Sequence, residues 1–352
     1  MLSWGHALSG LGHPWYKTAM WHRLVPVFLA FVVLIAPLSD AQPQARLPRV
    51  GVLWAGPLTF AQPYVTAGLE SMRGLGWIDG QNITIDYRFA PPNVTTETER
   101  LAKLVTNAED LARLKVDVIV AAGDPAVEAA RRATKSIPIV MLAVGDAVGA
   151  GFVASLARPG GNITGIGALS VDLSGKRLEL LKQIVPRASR VAVLWNPSNP
   201  AGILGFRETE GAARRLGVAL QSVQLRQRDE IPSAFATMAH DRAEGFVVVT
   251  DPLTWVTRRE IIDQATKHRL PAVYELREYV DAGGLASYGP SLTDLSRRTA
   301  VYVDKILKGA KAADLPVEQP TQLELVVSLK TAHALAIAIP QAVSLRADQL
   351  IQ

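Results

Sequence analysis

Three aspartates stand at or just beyond the ends of short runs with the composition of buried strands. Asp124 follows the run 116–121, Asp251 follows the run 245–250, and Asp146 follows a third such run. A carboxylate in this position can bind an amine or several hydroxyl groups through charge-assisted hydrogen bonds. An aspartate before a helix can also accept hydrogen bonds from the free N–H groups of the first turn. Ligand binding and helix capping therefore both remain open for these residues.

Two tryptophans occupy equivalent positions at the ends of similar runs. Trp54 ends the segment RVGVLW and Trp195 ends the segment RVAVLW. A flat ligand can stack on such rings, and a ligand cation can lie on a ring face. The alternative is that each ring covers the apolar core below the wall of a cleft.

Polar residues in nearby turns are further candidates for ligand binding. A helix cap, a tight turn or hinge packing is the structural alternative for each of them. Asn199 beside Ser198 and Glu275 beside Tyr274 share these locations. The expected ligand-binding residues are Trp54, Gly123, Asp124, Asp146, Asn162, Thr164, Trp195, Asn196, Ser198, Asp251, Tyr274, Ser287 and Tyr288.

The residue types needed for most catalytic and metal chemistry are missing or scattered. The chain has no cysteine, and beyond the first 22 residues its histidines are only His240, His268 and His333. Their spacing does not suit a metal site. No phosphate-binding loop, dinucleotide fingerprint or nucleophile elbow occurs. We therefore expect no catalytic residue, no metal and no cofactor.

An internal repeat indicates which elements position the candidates. The segments 49–54 and 190–195 are nearly identical, and a helical stretch follows each of them. Both helical stretches stop at a Leu-Gly pair, and Gly suits the left-handed position after a helix. The same interval separates Val50 from Gly76 and Val191 from Gly217. The chain therefore contains two copies of one βα module.

Strands continue to alternate with helices after each copy, which predicts right-handed βαβ units and parallel sheets. The expected fold class is α/β, with two Rossmann-like lobes and a cleft between the carboxyl ends of their strands. The first lobe is expected at 48–165 with a return over about 285–310, including a strand at 283–289. The second lobe is expected at 166–284 and about 311–352.

The amino terminus has the pattern of an export signal. Arg23 precedes an apolar run over 24–38, and Ser39-Asp40-Ala41 predicts cleavage before Gln42. Residues 1–41 are therefore expected to be a signal peptide, with Met20 as an alternative start. An uncleaved membrane anchor is the alternative for this segment. The absence of cysteine excludes attachment of a lipid to the processed chain. Net charge is +5 without a run of like charges, so nucleic acid is not an expected partner.

Several short motifs, in their order and spacing, resemble the tryptophan/tyrosine-type substrate-binding proteins of bacterial ABC transporters. The resemblance covers nearly all of residues 49–351 and implies a type I periplasmic-binding-protein fold, a small-molecule ligand, a permease partner and no cofactor. Asp124 departs from it, because Gly-Thr-type residues are common near this position in the family. The motifs lie at 74–83, 137–140, 158–165, 283–289, 305–310 and 314–318.

These observations together predict a periplasmic, monomeric solute-binding protein that delivers a small organic ligand to an ABC transporter. The ligand is expected to be an aromatic amino acid or a related compound, and the change at Asp124 favours one with an amine. A ligand sensor for a signalling system and a secreted α/β enzyme are the alternatives.

Overall fold

The computed structural model describes residues 46–90 and 96–352. The expected signal peptide, residues 1–41, lies outside the described residues. Within the described residues, no helix combines the length and the apolar character needed to cross a bilayer.

The first lobe is built on a five-stranded parallel sheet of order β2-β1-β3-β4-β5. Its central strands are short, rich in β-branched residues and buried on both faces, as strands of parallel sheets are. The strands are β1 (Arg49–Trp54), β2 (Thr84–Phe89), β3 (Val118–Ala122), β4 (Ile139–Val144) and β5 (Ile163–Gly167). The helices between them are α1 (Leu58–Gly74), α2 (Glu97–Arg113) and α3 (Asp124–Ala133).

The second lobe is built on a seven-stranded sheet of order β12-β11-β10-β9-β8-β6-β7. Neighbouring strands are parallel except for the antiparallel pair β10 and β11. The strands are β6 (Arg190–Trp195), β7 (Ala219–Gln224), β8 (Phe246–Val248), β9 (Ala272–Tyr274), β10 (Ala286–Gly289), β11 (Glu324–Ser328) and β12 (Gln349–Ile351). The helices after β5 are, in chain order, α4 (Ser174–Ile184), α5 (Pro200–Leu216), α6 (Ile231–His240), α7 (Pro252–Val256), α8 (Arg258–Lys267), α9 (Arg277–Asp281), α10 (Leu292–Leu307), α11 (Leu329–Ala334) and α12 (Gln341–Ser344). Of these, α10 packs on the first lobe.

The expectation that a strand at 283–289 returns to the first lobe is wrong. β10 pairs with β9 and β11 and so belongs to the second sheet. The chain returns instead with α10, which packs on α1 and against β3, β4 and β5. The following residues stay beside β5 as far as Glu318, whose backbone bonds to Gly165 and Gly167. The returning segment is therefore about 292–318, and not 285–310.

The chain passes between the lobes at three places within the described residues: after β5, after β10, and after the segment that follows α10. Short neighbouring crossings of this kind act as a hinge about which two lobes can rotate. The carboxyl ends of β1, β3 and β4 face those of β8 and β9 across a cleft. The predicted two-lobed α/β architecture is thus confirmed.

Candidate ligand-binding cleft

The cleft is lined by residues from both lobes. Its mainly apolar lining with a few polar groups is typical of small-molecule sites. The first lobe contributes Trp54, Ala55, Gly56, Ala122, Gly123, Asp124, Leu142, Ala143 and Gly145. The second lobe and the crossings contribute Ala168, Ser170, Asn199, Ala201, Thr250, Asp251, Pro252, Trp255, Glu275, Leu276 and Leu292.

Asp124 is the polar group of the first-lobe wall. It is the first residue of α3, where Gly123 enters the helix with a positive φ of 83°. Its Oδ2 accepts a hydrogen bond from the N–H of Gly145 at 3.2 Å, whereas no described group bonds to its buried Oδ1. Burial raises the pKa of Asp124 to about 6, and the negative charges of Glu275 and Asp146 add to this rise. The cleft therefore holds a carboxylate with one oxygen available to a ligand donor.

Asp251 lies on the second-lobe wall and is held more firmly. It begins α7 with a capping box, in which its Oδ1 accepts from the N–H of Thr254 at 2.9 Å. Its Oδ2 accepts from the side-chain amide of Asn196 at 2.6 Å. Its charge also acts across the cleft on the buried Arg100 of α2 and raises the pKa of that guanidinium, which burial lowers. The capping box and the hydrogen bond from Asn196 thus account for most of the bonding capacity of Asp251.

Glu275 stands directly after β9 and is supported from behind by Arg177 of α4. Arg177 Nη2 lies 3.5 Å from Glu275 Oε2, and both side chains are almost fully buried. The guanidinium also donates to the carbonyl oxygens of Ser170 and Tyr288. The hydroxyl of Ser170 donates to Glu275 Oε1. This cluster joins the crossing after β5 to the second-lobe wall.

Aromatic rings form two walls and the mouth of the cleft. Trp54 of β1 stacks on Tyr64 at 5.9 Å between ring centroids. Trp255 of α7 faces Phe60 at 5.5 Å and Tyr64 at 5.9 Å, so rings from the two lobes meet. The guanidinium of Arg258 lies over the rings of Phe60 and Trp255, at 4.8 Å and 5.1 Å. Flat apolar surfaces therefore approach the carboxylates from both lobes.

Four of the expected residues line this cleft: Trp54, Gly123, Asp124 and Asp251. Their contact with a ligand remains a prediction. Asn196 lies just behind the wall, where it holds Asp251, and the amide oxygen of Asn196 accepts from the N–H of Ser198.

Three expected residues form turns or sheet contacts and do not line the cleft. Asp146 closes a turn by accepting from the N–H groups of Val148 and Gly149. Asn162 directly precedes β5 and so lies at the amino ends of the strands, whereas the cleft lies at their carboxyl ends. Its side-chain amide donates to the carbonyl of Ile137. Thr164 donates to the carbonyl of Leu315 from within the buried strand.

Trp195 and Tyr274 belong to the core of the second lobe. Trp195 stacks on Phe206 at 4.8 Å, and its indole N–H donates to Ser222. Tyr274 stacks on Tyr279 at 4.6 Å. These aromatic pairs turn both side chains away from the cleft. Core packing was the alternative for Trp195, whereas for Tyr274 the alternative was hinge packing.

Ser198, Ser287 and Tyr288 also lie outside the cleft lining. Ser198 is exposed and lies in a neighbouring surface groove, which Asp124 also lines. Ser287 and Tyr288 are within β10, and the backbone carbonyl of Tyr288 accepts from Arg177. Packing near the hinge, the structural alternative for Ser287 and Tyr288, agrees with these positions.

The sequence analysis missed Trp255, Ser170 and Arg177. Trp255 could have been found, because it follows a strand end and a capping sequence by one helical turn. Arg177 gives no signal in the sequence, since a basic residue in an amphipathic helix normally faces solvent. Only the tertiary structure brings it to Glu275.

Residues 65–351 match the model of a protein family described as ABC transporter substrate binding protein. The chain belongs to this family. Members of the family bind small molecules outside the cytoplasm and work with ABC transporter permeases. The cleft between the lobes is the ligand site that such a fold provides.

Two proteins similar to this substrate-binding protein are described with an aromatic amino acid as ligand. A tyrosine-binding protein of Clostridioides difficile (strain R20291) is 28% identical over 268 residues, which cover 76% of this chain and 74% of the relative. A Streptococcus pneumonia ABC domain in complex with L-Trp is 25% identical and has a TM-score of 0.79, covering 87% of this chain and 100% of that one.

The two lobes of this substrate-binding protein contact each other directly. A ligand-free, open substrate-binding protein with adhesive properties from Clostridium difficile is 26% identical, covering 87% of this chain and 99% of that one, but its TM-score is only 0.63. The L-Trp complex, at nearly the same identity, reaches 0.79. Contacts between Tyr64 and Glu278 and between Phe60 and Trp255 join the lobes directly.

Removing the hydrogen bond between the lobes should speed ligand release. The Tyr64 hydroxyl donates to Glu278 Oε1 at 2.6 Å, and burial with the nearby carboxylate raises the pKa of Tyr64, which keeps the donor protonated. A hydrogen bond to a charged group contributes about 1.5 kcal/mol or more, so Tyr64→Phe should raise the ligand dissociation rate about tenfold. Stopped-flow tryptophan fluorescence measures this rate.

The matched control is Tyr87→Phe, because Tyr87 stacks on Phe89 within the first lobe. Its dissociation rate should equal that of the unmodified protein. Equal rates for the Tyr64 and Tyr87 variants would contradict a role for the hydrogen bond in closure.

Proposed function

We propose that this chain is the exported receptor of an ABC importer and that its ligand is an aromatic amino acid or a related flat amine. The observation that carries this proposal is the cleft itself, which is lined by Trp54, by Trp255 and by Asp124, whose Oδ1 has no hydrogen-bond partner among the described residues. Aromatic faces favour a flat ligand, and a carboxylate favours an ammonium group. The tyrosine-binding relative and the L-Trp complex support the same ligand class.

We further propose that the processed protein begins at Gln42 and acts as a periplasmic monomer without a lipid anchor. The sequence supports export through its apolar segment and small residues before Gln42, and it contains no cysteine. The protein is proposed to bind and release its ligand unchanged, because its buried carboxylates cap a helix, pair with arginine or stand ready for an ammonium group.

Melting curves of the exported protein with L-tryptophan, L-tyrosine, L-leucine and glucose test the proposal. A ligand that prefers the folded state raises the melting temperature, by about 5 °C at 100 times its dissociation constant. We expect this shift only with an aromatic probe, L-tryptophan or L-tyrosine. Chromatography should recover the ligand chemically unchanged. A shift with leucine or glucose alone, or conversion of the ligand, would contradict the proposal.

A further inference from the structure

The charged residues that line the cleft all have the same sign. They are Asp124, Asp251 and Glu275, and no lysine, arginine or histidine is among the described lining residues. All three side chains are more than nine-tenths buried. Because buried charges need partners, the balance of charge in this cleft limits which ligands it can accept.

Two of these carboxylates interact with a cation that does not line the cleft. Glu275 pairs with Arg177 at 3.5 Å. Asp251 interacts with the charge of Arg100 and accepts a hydrogen bond from Asn196. These two positive charges offset two of the three negative charges.

Asp124 holds the remaining negative charge. Its one hydrogen bond to a described partner outside its own residue is the 3.2 Å bond from the backbone of Gly145 to Oδ2. Its Oδ1 is buried without a hydrogen-bond donor in the described part of the chain. A single positive charge from a ligand would therefore bring the cleft to neutrality.

We propose that the cleft selects a flat amine of net charge +1 in preference to a zwitterionic amino acid. This inference rests on the proposed function and narrows its ligand class. The ammonium group bonds to Asp124 Oδ1 and neutralises it. A ligand carboxylate would bring one more negative charge into the cleft, and the described residues that line the cleft include no cation to pair with it.

The remaining donors of the cleft are neutral and suit a neutral oxygen. The indole N–H of Trp255 and the hydroxyl of Thr250 are buried and have no partner among the described residues. Each can donate to a hydroxyl or carbonyl oxygen of the ligand, which costs less desolvation than a carboxylate. An aromatic amino alcohol or a simple arylalkylamine therefore matches the cleft better than the parent amino acid.

Calorimetric titration of the exported protein at pH 7 tests this with four matched probes: tryptamine, tryptophanol, L-tryptophan and indole-3-propionate. We expect tryptamine and tryptophanol to bind about tenfold more tightly than L-tryptophan. Indole-3-propionate, which lacks the amine, should bind at least about 100-fold more weakly than tryptamine. Tryptophan binding as tightly as tryptophanol, or more tightly, would overturn the inference while the proposed function stands.

A second variant separates charge from shape. In Asp124→Asn the unpaired negative charge is gone, so tryptophanol and tryptophan should bind with similar affinity, whatever their absolute affinities. Persistence of the tenfold preference in a variant that melts normally would overturn the role assigned to Asp124. Failure of all four probes to bind the unmodified protein would overturn the proposed aromatic ligand class, and the inference with it.

Discussion

Asp124→Asn is expected to weaken binding of an aromatic amine about 100-fold while making the free protein more stable. Removing one partner of a buried charge pair costs about 3 kcal/mol of binding free energy, which corresponds to this change in Kd. The amide oxygen of asparagine can still accept the hydrogen bond from Gly145, so the fold of the loop is retained. Titration with tryptamine measures the loss.

The effect on stability follows from the raised pKa of Asp124. Burial moves this pKa from 3.8 to about 6, so between these values the folded protein keeps a proton that the unfolded chain has released. Stability of the unmodified protein therefore falls as pH rises from about 4 to about 6, by about 3 kcal/mol in total. The asparagine variant lacks this penalty, and its advantage in urea denaturation should be largest above about pH 6.

Ligand affinity should show the opposite dependence on pH. The ionised form of Asp124 binds the ammonium group, so affinity for tryptamine should fall about tenfold for each pH unit below about 6. The asparagine variant should show no such slope.

Asp146→Asn is the matched control for Asp124, since Asp146 closes a turn outside the cleft lining and acts on Asp124 only through its charge. Its affinity for tryptamine should stay within about twofold of the unmodified protein. If Asp146→Asn and Asp124→Asn bound tryptamine equally well, Asp124 could not be the ammonium site.

The sequence predicted the lobes well because each repeat is defined by local signals. Short β-branched runs, turn residues and a glycine after each helix appear in both copies, so β1 and β6 could be recognised as equivalent. The position of β10 could not be recognised in this way. Its four residues fit either sheet by composition, and pairing with the distant strand β11 decides between them.

The difference between local sequence signals and tertiary contacts also explains which site residues were predicted. Trp54, Asp124 and Asp251 could be placed because the carboxyl ends of parallel strands face the cleft. Trp195 fills the equivalent position to Trp54 in the repeat, yet stacking on Phe206 turns it into the core. Equivalent residues of a repeat share their backbone position, but the direction of each side chain depends on its neighbours in the fold.

Arg177→Met is expected to destabilise the protein by about 3–5 kcal/mol, because it leaves the buried carboxylate of Glu275 without its cation. The substitution also removes the donors that bond to the carbonyls of Ser170 and Tyr288. These groups lie in or next to two of the crossings between the lobes, so we expect the loss to affect the hinge as well as the second lobe. Urea denaturation monitored by fluorescence measures the change in unfolding free energy.

A second substitution separates the unpaired charge from lost packing. Combining Arg177→Met with Glu275→Gln removes both charges, and the double variant should recover part of the loss, since an isolated buried charge costs more than a missing pair. Lys176→Met, at the neighbouring but exposed position of α4, should change stability by less than about 0.5 kcal/mol. A double variant that is less stable than Arg177→Met alone would show that Glu275 is not destabilised by losing Arg177. The charges of Arg177 and Glu275 would then stabilise the cleft wall independently of each other. In that case Arg177 would not balance Glu275, and Asp124 would no longer be the one unbalanced charge among the described residues that line the cleft.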